Sequence, residues 1–279
     1  MEQPPLACEE FLKAFHAIRP GLTPRAFANT PARCGESTWA SSYAALIHEV
    51  PTVPSPLRVL DLACGDGHLL GLLADRRQHN LSLHGIDFSH AELQLARRAL
   101  PASVSLIEGK AQNLPFREEG FEIVTCHLAL MLMGSVDRVL DEVHRVLAPG
   151  GKFVAVVGAE APPSLPLDAY RALFEIFPRH ESKLGVRFGD KRLRSDGGIF
   201  ELLAGRFLPP RQQTLSITRR LTPEEGWLYF LDMYDLALLP PDALGFVRQH
   251  YLSSLAVRSE PQEPLVYYEQ LRLFVAIAA

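Results

Sequence analysis

The chain has only four cysteines in 279 residues, Cys8, Cys34, Cys64 and Cys126, and no C-x-x-C pair among them. So few cannot staple a fold of this length, and reduced thiols in a cytoplasmic protein are expected. The chain also lacks a positive excess: 28 Lys and Arg stand against 32 Asp and Glu, for a formal charge of −4. No global field draws it to nucleic acid or an anionic membrane, and neither is expected as a partner. Long apolar runs are missing as well. The most apolar stretch, Ile123 to Val136, is shorter than a bilayer span and contains His127. The opening Met1-Glu2-Gln3-Pro4-Pro5 has neither the basic flank nor the apolar centre of a secretory signal. The histidines show no metal-ligand spacing with one another or with cysteine, so no metal is expected.

What is there is ordinary globular material, 47% hydrophobic and 22% charged, long enough for one large domain or two small ones. Residues 7–18 place Phe11, Leu12, Phe15 and Ile18 on one helical face. A second helix is expected after Ser37, carrying Trp39, Tyr43, Leu46 and Val50, and stopped by Pro51, Pro54 and Pro56. From residue 57 strands and helices alternate. Strands are expected over 57–63, 81–87, 104–108, 121–128 and 152–158, with helices over 68–77, 90–100 and 136–147. Repeated βα units of this length give a parallel sheet covered on both faces. Beyond residue 158 the pattern loosens: a loop at 161–166, a helix through Phe177, an exposed basic loop over 187–198, and strands over 212–220 and 271–277. Thr222-Pro223-Glu224-Glu225 supplies an N-cap, a proline at the first helical position and a glutamate at the third, a strong helix start.

The most informative segment is Val59-Leu60-Asp61-Leu62-Ala63-Cys64-Gly65-Asp66-Gly67-His68. An apolar strand enters a turn of small residues, Ala63, Gly65 and Gly67, where the backbone can approach a ligand closely. The next strand ends in Gly85-Ile86-Asp87-Phe88-Ser89, with Asp87 twenty residues beyond Gly67. At that distance such folds put a carboxylate on ribose hydroxyls. The nicotinamide fingerprint is G-x-G-x-x-G, whereas the small residues here fall as A-x-G-x-G. Asp61, two positions before the turn, suits a ligand with an amino group rather than a pyrophosphate. A purely structural glycine turn is the plainer alternative.

These residues resemble the class I S-adenosylmethionine-dependent methyltransferases, in particular the small-molecule branch that includes ubiquinone and sterol methyltransferases. Asp61–Gly67 is similar to the glycine-rich first motif and Gly85–Ser89 to the ribose-binding second. Glu108–Phe116 resembles the block beside the adenine, Phe121–His127 the strand that faces the reacting methyl group, and Arg145–Gly151 the turn before the fifth strand. The resemblance covers about residues 57–158. It implies S-adenosyl-L-methionine as cofactor, with Asp61, Ala63, Gly65 and Gly67 at its methionine portion and Asp87 at the ribose. Phe88 would pack on the adenine, and Ala111 and Gln112 would line its edge. The chain departs from the family at Lys110 and Gln112, where acids are usual, so the adenine amine would turn to the backbone or the Gln112 side-chain oxygen.

The implied fold is α/β: a Rossmann-like, seven-stranded, mostly parallel sheet with helices on both faces, an N-terminal helical lid and insertions after the fifth strand. Residues 1–56 would form the lid, 57–158 the cofactor-binding core, and 159–279 the substrate wall and the closing strands of the same sheet. The implied activity is methyl transfer by in-line displacement to O, N or C of a small organic molecule, by a monomer or homodimer. Positioning supplies much of such catalysis, and a base is needed only where the acceptor must lose a proton. His127 is the candidate catalytic base, or else it only shapes the pocket. Tyr229, Asp232, Tyr234 and Asp235 rank behind it, and Trp227, Phe230, Leu231 and Tyr234 have the spacing of plain core. The Lys191-Arg192-Leu193-Arg194 run either touches an anionic substrate or is a solvated loop. Thr125-Cys126-His127-Leu128 stands where nucleic-acid amino-methyltransferases carry Asn/Asp-Pro-Pro-Tyr/Phe. Two rival functions remain: a nicotinamide-dependent oxidoreductase, and an S-adenosylmethionine-binding protein with another role, such as cyclisation.

Overall fold

The computed structural model describes residues 8–159, 188–237, 239–256 and 264–279. Nine strands form one sheet in the order β2-β1-β8-β9-β7-β6-β3-β4-β5, comprising β1 (Ala32–Cys34), β2 (Ser37–Trp39), β3 (Leu57–Leu62), β4 (Leu81–Asp87), β5 (Ser105–Glu108), β6 (Phe121–His127), β7 (Leu147–Gly158), β8 (Arg211–Leu221) and β9 (Leu265–Ile277). Strands β3 to β7 pair in parallel, and β9 runs antiparallel between β7 and β8. Among the described residues the sheet thus has two strands more than the seven expected. They come from a short hairpin at residues 32–39, which pairs with β8 through Ala32 and Arg33.

The central strands form because they are apolar on both faces, as a covered parallel strand must be. Leu60 and Leu62 point to one side, where they meet Val139, Leu140 and Val143 of a helix over Val136–Val146. Val59 points to the other, against Leu46 of the helix α3 (Ser42–His48) and Leu69 and Leu73 of α4 (His68–Ala74). Helix α1 (Cys8–Ile18) precedes α2 (Leu22–Phe27), and α5 (His90–Ala99) follows β4. From β3 the chain moves outward to β4 and β5, then returns to the other side of β3 for β6 and β7. That reversal leaves a crevice beyond the carboxyl ends of β3 and β6, where such sheets bind ligands.

Several expectations need correction. The helix expected from Ser37 starts at Ser42, with the Ser41 hydroxyl accepting from the Ala44 N–H, and Trp39 lies on β2 instead. Ile18 is 81% exposed, because the last residue of α1 projects past the surface that Leu12 and Phe15 bury. The stretch expected as an exposed loop contains a 3-10 turn over Lys191–Arg194 and a helix over Asp196–Leu203. Ser195 caps that helix through the Gly198 N–H, and Ile199, Leu202 and Leu203 anchor it in the core. Its two glycines disguise it in the sequence. The loop expected at 161–166 and the helix through Phe177 lie outside the described residues.

The capping box reads as expected. Thr222 accepts from the Glu225 N–H, and Glu225 accepts from the Thr222 N–H at 2.8 Å, opening a helix over Pro223–Leu231. Trp227 and Phe230 of that helix bury against Tyr251 and Tyr267, outside the main sheet core. The helix stops at Leu231, so Tyr234 begins a new turn over Tyr234–Ala237 and faces the crevice rather than that core.

Candidate functional site

The crevice holds about 1040 Å³ of empty space, part of it open to solvent. Its walls come from chain segments far apart in sequence. The turn after β3 brings Asp61, Ala63, Cys64, Gly65 and Asp66, and the end of β4 brings Asp87 and Phe88. The segment after β5 adds Gly109, Lys110, Ala111 and Gln112, and β6 adds His127. Of the site residues expected from sequence, only Gly67 stands back from the wall. It takes a left-handed φ of 81°, and a Cβ there would fall 2.6 Å from Leu100 Cδ1. Backbone shape therefore favours glycine at that position, and a Cβ would also crowd Leu100. Ala63, without that freedom, also sits at positive φ, 56°, at the tip of β3.

Asp61 and Asp87 are both nearly inaccessible, and their environments differ. Asp61 accepts from the Thr125 hydroxyl at 2.8 Å, and burial pushes its carboxyl up to about 7 despite that bond. Asp87 accepts from the Gly65 N–H at 2.9 Å and the Ser89 N–H at 2.8 Å. Burial raises it too, and the two N–H bonds oppose the rise. Asp87 thus ties the β3 turn to the end of β4 while lining the crevice.

His127 stacks on Tyr43 with ring centroids 3.7 Å apart, and its Nε2 lies 2.9 Å from Ser42 Oγ. Its Nδ1 is buried with no hydrogen-bond partner among the described residues. Burial pushes the imidazole down to about 3, with nearby His68 adding to the effect. It is neutral at ordinary pH and a weak base.

Other contributors were missed or ranked low in the sequence reading. Glu9, Leu12 and His16 of α1, Thr23 of α2 and Tyr234 close the crevice from the far side. Glu9 accepts from Lys110 Nζ at 2.6 Å and from Gln112 Nε2 at 2.8 Å. Buried Glu92 of α5 bonds His16 Nδ1 at 2.7 Å and accepts from the Gly21 N–H. Tyr234 was only a second-rank candidate, and Glu9, His16 and Glu92 carry no local signal because their partners lie 71 to 218 residues away. The side chains of Tyr229 and Asp232 meet Glu269 and Arg19 instead, away from the crevice. Arg192 of the basic run is held by Asp190 and Asp137.

Charge decides which ligand suits these walls. Glu9, Asp61, Asp66, Asp87 and Glu92 face the crevice, with Lys110 as its one Lys or Arg among the described residues. Such walls favour a cationic ligand and oppose a pyrophosphate. Buried Asp61 has a hydroxyl for a partner and no cation among the described residues, which suits an incoming ammonium group.

Residues 60–155 match the family described as a methyltransferase domain. Over those residues the chain is similar to methyltransferase domains. A demethylmenaquinone methyltransferase of Lactobacillus johnsonii is 33% identical over 143 residues, 49% of this chain and 58% of that relative. The chain spans about half the length of the curated relatives it matches, 58%, 41% and 55% for three of them. Among solved structures, the YcgJ protein of Bacillus subtilis superposes with a TM-score of 0.55 at 19% identity, over 85% of this chain and 98% of the other. The cyclase SpnF gives 0.56 at 16% identity, over 100% and 99%. Both share the fold. No described helix is long and apolar enough to cross a membrane.

Proposed function

We propose that the crevice binds S-adenosyl-L-methionine and that the chain transfers its methyl group to O, N or C of a small organic molecule. The observation that carries this reading is the convergence of Asp61, Ala63, Gly65, Asp87, Phe88, Ala111 and Gln112 on one anionic crevice at the switch point of the sheet. Asp61 and the turn after it would hold the methionine portion, with the ammonium group against the Asp61 carboxylate. Asp87 would take the ribose hydroxyls, Phe88 the adenine face, and Ala111 and Gln112 the adenine edge. The cofactor supplies an electrophilic methyl group on a sulfonium. The protein supplies alignment, exclusion of water and, where the acceptor needs it, a proton acceptor.

The names of the relatives favour transfer over cyclisation, since the curated ones are demethylmenaquinone methyltransferases. The SpnF likeness rests on fold alone and does not counter that. We place residues 1–56 over the crevice as a lid, residues 57–158 as the cofactor-binding core, and residues 159–279 as substrate wall and closing strands. The reaction belongs in the cytoplasm, consistent with four free cysteines, Cys8, Cys34, Cys64 and Cys126. Thermal melting tests the cofactor. S-adenosylhomocysteine is expected to raise the melting temperature, by about 2.7 kcal/mol of added stability at a hundredfold excess over Kd. Stabilisation by a nicotinamide dinucleotide alone would contradict the assignment.

A further inference from the structure

Glu92, His16 and Tyr234 form a hydrogen-bonded line along one wall of the crevice. His16 Nδ1 lies 2.7 Å from Glu92 Oε1, and His16 Nε2 lies 3.1 Å from the Tyr234 hydroxyl. All three residues line the crevice. The direction of the protons follows from the donors available. The tautomer that fits a Glu92 carboxylate accepting the Gly21 N–H on both oxygens, at 3.0 and 3.1 Å, puts the His16 proton on Nδ1. Nε2 of the neutral ring is then bare, and the Tyr234 hydroxyl donates to it. The Thr23 side chain also bonds the phenol oxygen from within the crevice.

This line differs from the surroundings of His127, whose Nε2 is taken up by Ser42 and whose imidazole burial makes a weak base. We propose that Glu92, His16 and Tyr234 form a proton relay in which the Tyr234 oxygen takes the proton of a hydroxyl-bearing methyl acceptor. The inference rests on the proposed methyl transfer. In the step, the acceptor O–H bond breaks as its proton passes to the Tyr234 oxygen, and the Tyr234 proton passes to His16 Nε2. The acceptor oxygen keeps its electron pair for the methyl carbon, and the electrons of the broken carbon–sulfur bond stay on sulfur. The positive charge lost at the sulfonium is replaced by an imidazolium next to the Glu92 carboxylate, and the proton later leaves to solvent. Burial raises the Tyr234 phenol, so a free phenolate does not build up and the two proton shifts are coupled. Tyr234 is the catalytic group, and His16 and Glu92 position it.

The test uses the full chain, labelled with nitrogen-15 histidine, with and without S-adenosylhomocysteine, together with steady-state kinetics on 1,4-dihydroxynaphthalene as acceptor probe. Nuclear magnetic resonance is expected to find neutral His16 protonated at Nδ1, and Tyr234→Phe is expected to shift the bare Nε2 signal. Turnover by Tyr234→Phe should fall about 100-fold or more in kcat, with little change in KM or in S-adenosylhomocysteine affinity. Glu92→Gln should move the His16 proton between nitrogens. A His16 protonated at Nε2, or one indifferent to Tyr234→Phe, overturns the relay, as does unchanged kcat. If the wild type leaves this probe unmethylated, the His16 tautomer alone decides. Failure of the wild type to bind S-adenosylhomocysteine would instead count against the cofactor assignment.

Discussion

Glu9 reaches across the crevice mouth to accept a hydrogen bond from Gln112 Nε2 at 2.8 Å, joining residues 103 positions apart. The same carboxylate pairs with Lys110. Lys110 and Gln112 are the two positions where the chain departs from the acids usual in the family it resembles. The negative charge at this lip therefore sits on α1 instead of on the segment after β5.

This bridge leads to a prediction about the lid. Lys110 is largely exposed, so the ion pair alone contributes at most about 1 kcal/mol. Glu9→Ala should weaken S-adenosylhomocysteine binding by less than about tenfold. Hydrogen exchange over residues 8–18 should be slowed by the ligand in the wild type and slowed less in the variant. Equal exchange with and without ligand in the wild type would rule out a lid.

Asp87 should respond differently from a surface ligand-binding carboxylate. It accepts two backbone N–H groups, from Gly65 and Ser89, so its removal strands two donors. Asp87→Ala is therefore expected to cost about 1–3 kcal/mol per donor in folding stability. It should also lose about ten- to a hundredfold in S-adenosylhomocysteine affinity. Denaturant melts and calorimetry separate the two effects, and an unchanged affinity would move the ribose contact elsewhere.

Two buried groups set opposite dependences of stability on pH. Asp61 has its folded pKa raised to about 7, above its unfolded value near ~3.9, so its stabilising contribution is present below about pH 4 and lost as pH rises through about 7. His127 has its folded pKa lowered to about 3, so its contribution is full above about pH 6.5 and lost as pH falls toward 3. Between about pH 4 and 6.5 the folded state holds one extra proton at Asp61 and one fewer at His127, and the slopes cancel. Asp61→Asn should make the slope of unfolding free energy against pH more positive by about 1.4 kcal/mol per pH unit in that window. His127→Phe should make it more negative by a similar amount. Urea melts of the ligand-free protein check this, and slopes parallel to the wild type would contradict the burial of these two groups.

How much was readable in advance depended on how local each signal was. The β3 strand and its turn were legible because six consecutive residues, Leu57–Leu62, are nearly all buried and lead straight into a glycine turn. The capping box at Thr222 was legible for the same reason, since all its partners lie within four residues. The hairpin at 32–39 was not, because three-residue strands show no alternation and depend on β8 for pairing. The helix over Asp196–Leu203 was hidden by Gly197 and Gly198, whose weak helix propensity is overcome by the Ser195 cap and by burial of Ile199, Leu202 and Leu203. The residues proposed for the cofactor side are sequence neighbours on strand tips and could be named from motif alone. The far wall is assembled from α1, α2, α5 and Tyr234, and only the folded chain brings them together.

The central claim, that Asp61 receives the ammonium group of an S-adenosylmethionine-type ligand, is tested most directly by isothermal titration calorimetry. S-adenosylhomocysteine would be titrated into the protein in two buffers of different ionisation enthalpy. In the free protein burial holds the Asp61 carboxyl at about 7, and an ammonium partner should pull it down. Binding is therefore predicted to release close to one proton at about pH 6 and almost none at about pH 8.5, and Asp61→Asn should abolish the release. No binding, or binding with proton release that Asp61→Asn leaves unchanged, would contradict the account.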